Sequence, residues 1–147
     1  MIPDQFVKEP AMRYWKAEIT RLLLDHFEDD NRRIEHALDV LLEAEILLKD
    51  LEFGDCDPEI VIAACLLHDV GIKPSEAELG YNNGKTQEKY GPPIAEKLLE
   101  SIGFPTEKIK IVAEIIGNHH SPSRYDYPEL KLLKKADRIV NLRDEKG

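Results

Sequence analysis

Long apolar runs and cysteine are scarce in this chain, and basic side chains are fewer than acidic ones. The longest uninterrupted apolar segment, Ile60 to Leu67, is far short of the ~20 residues that cross a bilayer, so no transmembrane helix is expected. The two cysteines form no CxxC pair, so neither a disulfide framework nor a zinc knuckle is indicated. Residues 1–5 lack the positive flank and apolar stretch of a secretory signal. We therefore expect a cytoplasmic protein without a membrane partner.

The excess of acidic over basic side chains bears on the partners. Acidic residues outnumber basic ones by 29 to 20, and the net charge is -9. Such a chain repels a polyanion at long range, which disfavours a nucleic acid polymer as partner. A small phosphorylated ligand is still compatible with this charge, because a bound metal ion or a few local cations can reverse the field in one pocket.

The remaining composition is that of an ordinary globular protein. The 147 residues are 42% hydrophobic and 33% charged, which fits one domain over residues 1–147. Apolar residues recur with a period near 3.6, with little strict alternation. We predict an all-α fold, a compact bundle of about six helices.

The predicted helices follow from caps, breakers and apolar phase: Asp29-Asp30-Asn31 offers caps for the second helix, and Asp57-Pro58-Glu59 is a start signal for the third. The third one is apolar all round and is expected at the centre of the core. A Pro-, Gly- and Asn-containing stretch from Ile72 to about Lys85 is predicted as a long loop and a candidate lid. The six helices are predicted at about Glu9 to Phe27, Arg32 to Leu51, Asp57 to Gly71, Pro92 to Ile102, Thr106 to Asn118 and Pro128 to Asp144.

The distribution of histidine is the main functional clue. His68 and Asp69 close the most hydrophobic predicted helix, where unpaired carbonyls favour a cation. Taken alone, a dipole-favoured His beside a surface acid is the simpler interpretation. His36, the His119-His120 pair and Asp137 favour a metal site instead, because Asp137 lies beside a buried stripe and needs a charge partner there.

The order His36, His68-Asp69, Asp137 on a helical chain resembles the HD superfamily of metal-dependent phosphohydrolases. The resemblance runs from about Arg32 to Leu142 and includes the pattern around His68-Asp69, from Ala63 to Gly71. The segments Gln87 to Ala95 and Ile115 to His120 are also similar to a subgroup of uncharacterised HD hydrolases. The resemblance implies an HD-domain-like bundle.

It further implies that His36, His68, Asp69 and Asp137 bind one divalent ion. Two imidazoles and two carboxylates suit Mn, Fe, Co, Ni or Zn better than Ca. Some HD enzymes place a second-metal His before the glycine that corresponds to Gly91, but this chain has none there. Glu88 is a candidate replacement, with His119 and His120 completing a second site; a solvated acid in a first helical turn is the alternative for Glu88.

The phosphate of a substrate needs donors besides the metal. Arg33, one helical turn before His36, is the first candidate, and Lys73, just beyond His68-Asp69, is the second. Solvated surface charges are the alternative for both. Asp69 is a candidate for orienting the attacking water as well as binding the ion.

The leading hypothesis is a metal-dependent phosphohydrolase that cleaves a nucleotide or another small phosphate ester through a metal-activated water. One alternative is a metal-binding regulatory or interaction domain with little turnover, since the second-metal His is absent. A second alternative is a di-iron oxygenase, a chemistry that some relatives of the fold perform. A symmetric homodimer is the prior for oligomeric state.

Overall fold

The structure, a computed structural model, describes residues 10–146. These residues form seven α-helices and a 3₁₀ turn at Leu51–Phe53, and no strand occurs among them. The all-α prediction is therefore confirmed. None of these helices has the length and apolar character that crossing a membrane requires. In chain order, α1 to α7 span Pro10–Phe27, Asn31–Leu47, Pro58–Leu67, Ile72–Leu79, Gly84–Ser101, Thr106–Ile116 and Pro128–Lys146.

Two helices begin at the caps that the sequence predicts. Asp30 precedes α2, and its carboxylate accepts a hydrogen bond from the backbone N–H of Arg33. Asp57 precedes α3 and accepts from the N–H groups of Glu59 and Ile60. Each cap satisfies donors that have no partner inside the helix. The caps thereby fix the start of the two helices that present the first site residues.

Helix α3 occupies the centre of the bundle. Every residue from Ile60 to Leu67 is buried, which matches its all-round apolar sequence. It packs against α1, α2, α6 and α7. Its C-terminal end therefore delivers His68 and Asp69 to a point that several helices surround.

The predicted lid is wrong. Residues 72–79 form helix α4, so only residues 80–83 separate α4 from α5. Pro74 made a helix improbable from the sequence, but it lies in the first turn of α4, where the missing N–H would have no helical partner. The described residues accordingly form one more helix than the six predicted ones.

The start of α5 also differs from its prediction. The helix begins at Gly84, not at Pro92, because Asn83 and Thr86 form a reciprocal capping box. Pro92 and Pro93 lie inside the helix, although they lack the N–H groups that an unbroken helical ladder uses. Helix α2 ends at Leu47, four residues early, and the predicted start of α1 at Glu9 lies outside the described residues.

Two glycines let α5 approach the end of α3. A Cβ on Gly71 would lie 2.6 Å from the backbone N of Gly91 and 2.7 Å from the carbonyl O of Gln87. A Cβ on Gly91 would lie 2.7 Å from a side-chain carbon of Ile116. The segment after Asp69 is therefore in direct backbone contact with α5.

Candidate metal centre

Four predicted ligands from three parts of the chain meet in one place. His36 comes from α2, His68 and Asp69 end α3, and Asp137 comes from α7. His36 Nε2 lies 3.0 Å from Asp137 Oδ1 and 3.6 Å from Asp69 Oδ2. His68 Nε2 lies 3.3 Å from Asp69 Oδ2 and 3.5 Å from Asp137 Oδ1. The two imidazole nitrogens and two carboxylate oxygens thus surround one small space.

These separations suit a shared metal ion. Donor atoms about 2.1 Å from one ion lie about 3.0 Å apart at adjacent octahedral corners and about 3.4 Å apart in a tetrahedron. The four separations given above, 3.0 to 3.6 Å, fall around these values. The residues present therefore fit a divalent ion without a rearrangement of the backbone.

The imidazole of His68 is already oriented as a ligand. Its Nδ1–H donates to the carbonyl O of Cys65 at 2.7 Å, so in the neutral ring Nε2 is the nitrogen that carries the lone pair. His68 is 1% exposed, and its Nε2 has no hydrogen-bond partner among residues 10–146. A buried polar atom without a partner is costly, and a metal ion would satisfy it.

His119 repeats this arrangement at the end of α6. Its Nδ1–H donates to the carbonyl O of Ile116 at 2.6 Å, and its buried Nε2 also has no hydrogen-bond partner in the described part of the chain. That Nε2 lies 3.7 Å from Asp69 Oδ1. In each case the ring bonds to the carbonyl three residues earlier, a group that the end of the helix leaves free.

A second group of donor atoms shares Asp69 with the first. One ligand atom each from Asp69, His119 and His120 lie within 4.8 Å of one another. The Oδ1 atom of Asp69 faces His119, while its Oδ2 atom faces His36 and His68. The structure therefore brings together six of the seven predicted ligands around one carboxylate.

The seventh, Glu88, is engaged in a different way. Its Oε2 accepts from the backbone N–H groups of His120 and Ser121, and its Oε1 accepts from the Ser121 hydroxyl. Burial acts to raise the pKa of Glu88, but these hydrogen bonds outweigh it and lower the pKa. Glu88 is thus neither a solvated acid nor a member of either donor group: it holds the backbone that carries His120.

The pKa values of Asp69 and His68 are shifted by the charged groups packed around them. Burial acts to raise the pKa of Asp69, yet the His68 and His119 imidazoles hold it well below its usual range. Burial acts to lower the pKa of His68, but Asp69 and Asp137 raise it well above its usual range. Since a metal ligand must be a neutral imidazole, ion uptake here should release a proton.

Comparison with known proteins supplies the family. The HD domain family matches residues 33–142. This chain belongs to the HD domain family. HD domains bind divalent metals, and the match supports membership of a family of metal-dependent hydrolases. A crystal structure of a predicted HD superfamily hydrolase from an uncultured Thermotogales bacterium is similar, with a TM-score of 0.64 and 27% identity over 88% of this chain and 74% of that one. No curated protein matches the sequence.

The two predicted phosphate-binding residues of this HD domain lie to one side of the donor atoms. The Arg33 guanidinium forms a paired contact with Glu76, NH1 to Oε1 at 3.0 Å and NH2 to Oε2 at 3.1 Å. Lys73 Nζ lies 3.8 Å from Asp30 Oδ2, and its side chain is 42% exposed. The two guanidinium NH groups of Arg33 therefore already bind a protein carboxylate. Phosphate binding by Arg33 and Lys73 stays a prediction.

Two clefts lead to the metal centre of this HD domain. The larger, about 1040 Å³, is lined by His36, Asp69 and the ends of α2 and α7. The smaller, about 580 Å³, is lined by His119, His120, Asp137 and, from the same face of α7, Lys134, Arg138 and Asn141. Lys134 and Asn141 stand one helical turn before and after Asp137, so helical spacing alone could have indicated them.

Sequence reasoning missed a further residue, Asn118. Its fully buried side chain donates to the carbonyl O of Pro122 at 3.0 Å and accepts from the N–H of Arg124 at 2.7 Å. These bonds close the loop that follows His119 and His120. No local pattern identifies such a bond, because an Asn after a helix is equally typical of an ordinary turn.

Proposed function

We propose that this HD domain is a phosphohydrolase that uses a divalent transition metal to cleave a small phosphomonoester, a nucleotide being the first candidate. The observation that carries the proposal is the pair of buried, partnerless Nε2 atoms of His68 and His119 on either side of Asp69. A structural polar cluster would satisfy such atoms with hydrogen bonds. Lone pairs held toward a shared carboxylate are instead what a metal ion requires.

The kinds of ligand atom present limit which metal ion the site would bind. Imidazole nitrogens combined with carboxylate oxygens suit Mn, Fe, Co, Ni or Zn, whereas Ca and Mg prefer oxygen ligands alone. When bound, such an ion lowers the pKa of its water and polarises a phosphoryl oxygen. Asp69 lies between the two donor groups, so its carboxylate is the acceptor best placed to orient the attacking water.

The two clefts differ in charge, which supports a placement for the parts of the substrate. In the smaller cleft Lys134 and Arg138 balance the acids Asp137 and Glu145, and Lys134 is anchored to the carbonyl O of Ser121 and the hydroxyl of Ser123. These cations suit the phosphate. The larger cleft carries more carboxylates than arginines and therefore suits the uncharged or polar remainder of the molecule. Its lining acids are Glu35, Asp39, Asp69, Asp144 and Glu145.

This arrangement favours a single phosphate over a polyphosphate or a nucleic acid polymer. Extra phosphates would extend either into the acidic cleft or toward a surface of net negative charge. The proposed partner is accordingly a small molecule, with a nucleoside monophosphate as the first candidate.

The test combines metal analysis with phosphate release. Purified protein is assayed for bound transition metal and for release of phosphate from a panel of nucleoside monophosphates and other phosphomonoesters. Asp69→Asn keeps the size of the side chain and should lower both metal content and release, the latter by at least about 100-fold. Asp39→Asn, which removes a carboxylate from the same cleft outside both donor groups, is the control and should retain both.

The outcome separates this proposal from a regulatory domain. Bound metal with no release from any member of the panel, under any added divalent ion, would favour a metal-binding domain without turnover. Equal release by Asp69→Asn and wild type would refute the site.

A further inference from the structure

A continuous row of hydrogen-bonded side chains runs from Arg33 to His120. Arg33 donates to both oxygens of Glu76, and Asn82 Nδ2 donates to Glu76 Oε2 at 2.8 Å. Gln87 Nε2 donates to Asn82 Oδ1 at 2.9 Å, and Gln87 Oε1 lies 2.5 Å from His120 Nε2. The row crosses from α2 through α4 and the residues 80–83 to α5 and then to the loop after α6.

We propose that this row sets the tautomer and orientation of His120, so that its Nδ1 lone pair serves a second divalent ion beside Asp69 and His119. Gln87, Asn82 and Glu76 are then positioning residues of the centre. The inference rests on the metal-binding part of the proposed function and is independent of the hydrolysis step.

The direction of each hydrogen bond follows from one end of the row. The Glu76 carboxylate, whose pKa Arg33 lowers, can only accept. Asn82 must therefore turn its NH₂ toward Glu76, which leaves its oxygen facing Gln87. Gln87 in turn must offer its NH₂ to Asn82, which leaves its own oxygen facing His120. Two amides thus transmit the polarity of one carboxylate.

The consequence for His120 is a defined tautomer. Because Gln87 Oε1 has no proton to give, His120 Nε2 must carry the hydrogen in the neutral ring. Nδ1 is then the ring nitrogen that holds the free lone pair. A metal ligand needs such a nitrogen, with the other ring nitrogen tied to a fixed acceptor.

His120 depends on the hydrogen bond from its ring to Gln87 more than His68 and His119 depend on theirs. His68 and His119 are buried, and each bonds to a carbonyl of its own helix. His120 is exposed, and packing holds it on few sides: its ring is 4.0 Å from the His119 ring, and its Cβ lies 2.9 Å from where a Cβ on Gly84 would be. Without Gln87 its ring would sample other rotamers, so binding an ion would cost more.

The first readout is the tautomer itself, measured by ¹⁵N NMR of the imidazole nitrogens in metal-free protein at about pH 8, where an ordinary His is neutral. His120→Ala identifies the signals. We expect the Nε2–H tautomer in wild type. In Gln87→Lys an ammonium faces Nε2 and donates to it, so the signals should shift to the Nδ1–H tautomer.

The second readout is the affinity for a second equivalent of Mn²⁺, measured by calorimetry without substrate. Gln87→Leu and Asn82→Leu should each weaken it by about 10- to 100-fold while the first equivalent binds as in wild type. Retained first-equivalent binding shows that the variants fold. Gln87→Glu, which restores the acceptor for His120 Nε2–H, should recover the second affinity. Tyr81→Leu alters the same loop outside the row and is the control.

Three results would overturn the inference: an Nδ1–H tautomer in wild type, uptake of one ion only by wild type, or unchanged second-ion affinity in both leucine variants. Failure of the proposed hydrolysis would leave these readouts intact, because neither uses a substrate.

Discussion

At the scale of single residues, Asp69 is the one side chain that serves both donor groups. Its two oxygens face different imidazoles, Oδ2 toward His68 and Oδ1 toward His119. A substitution of His119 can therefore leave the first group complete, whereas a substitution of Asp69 cannot. This difference makes Asp69 the sharpest single probe of the centre.

The two cysteines give a residue-scale prediction that does not involve the metal. Burial raises the pKa of the Cys56 thiol from 9.0 to about 11, and full burial raises the pKa of Cys65 further. Only the thiolate reacts with an aromatic disulfide reagent, so both thiols should be nearly inert in the folded protein at pH 8 and both should react once guanidinium unfolds it.

The pH dependence of this reaction checks the shift. The rate at Cys56 should rise about tenfold per pH unit from pH 8 to 10, because the thiol is still mostly protonated there; Cys56→Ser removes this phase. Since the folded pKa lies above the unfolded one, the protonated thiol favours the folded state below pH 9.0, and that contribution is lost as the pH rises through about 11. A plateau near pH 9 would contradict the burial.

Some residue roles could not be predicted because their partners are remote in sequence. The place of Arg33 before His36 predicts a phosphate ligand, but Glu76, its partner in the structure, lies 43 positions later. For Glu88 the sequence offers a metal ligand or a solvated acid, whereas its carboxylate accepts hydrogen bonds from a backbone 32 and 33 positions later. The grouping of the histidines was predictable because each closes a helix or lies on a buried face; the hydrogen bonds that orient them were not.

At the scale of elements, helix ends build the site. His68 directly follows α3, and His119 follows α6 after two further residues; in both, the ring Nδ1–H returns to the carbonyl three residues earlier, so each end leaves a free Nε2. The caps of α2 and α3 were evident from Asp30 and Asp57-Pro58. Helix α4 was not, because a proline next to polar residues is typical of a loop as well as of a first helical turn.

The contact between the end of α3 and α5 predicts the effect of Gly71→Ala. The new Cβ would overlap backbone atoms of Gly91 and Gln87, which cannot move without shifting the whole of α5. We expect a loss of about 1–3 kcal/mol in the free energy of unfolding, measured by urea denaturation. Because Gln87 moves with α5, the affinity for the second ion should also fall.

Gly54→Ala is the matched control for this substitution. Gly54 has a φ of -62°, and its nearest neighbour to an added Cβ is 3.4 Å away, so alanine fits there. Its free energy of unfolding should stay near that of wild type or rise slightly. If the two alanine variants were equally stable, the close approach of α5 would be wrong.

At the scale of the whole molecule, the arrangement of the helices was predictable because α3 could lie only at the centre of the bundle. Helix α3 is apolar on every side and has no face for solvent, so the other helices must surround it. The polar residues at its C-terminal end must then contact several of those helices. The same arrangement couples the metal centre to the fold, since its ligands come from α2, the end of α3, the end of α6 and α7. An ion bound there would join residues that are far apart in the sequence: the outermost two, His36 and Asp137, are separated by 101 positions.

Metal binding should therefore stabilise the whole bundle. An ion that binds only the folded state at about 100 times its dissociation constant adds about 2.7 kcal/mol, which raises the Tm of a domain of this size by about 5–11 °C. We expect Mn²⁺ or Zn²⁺ to produce such a rise in a thermal melt and a chelator to reverse it. Ca²⁺, which prefers oxygen ligands, should produce less.

The size of the rise should depend on pH in one direction. The ion must displace protons from imidazoles, above all from His68, whose pKa Asp69 and Asp137 raise well above its usual range. The ion-dependent increase in Tm should thus shrink as the pH falls from about 8 to 6. An ion held by surface carboxylates alone should give an increase that hardly changes, because those groups stay ionised over that range. Asp69→Asn should abolish the increase and Asp39→Asn should keep it. An increase that is independent of pH, or that persists in Asp69→Asn, would place the ion outside this histidine centre.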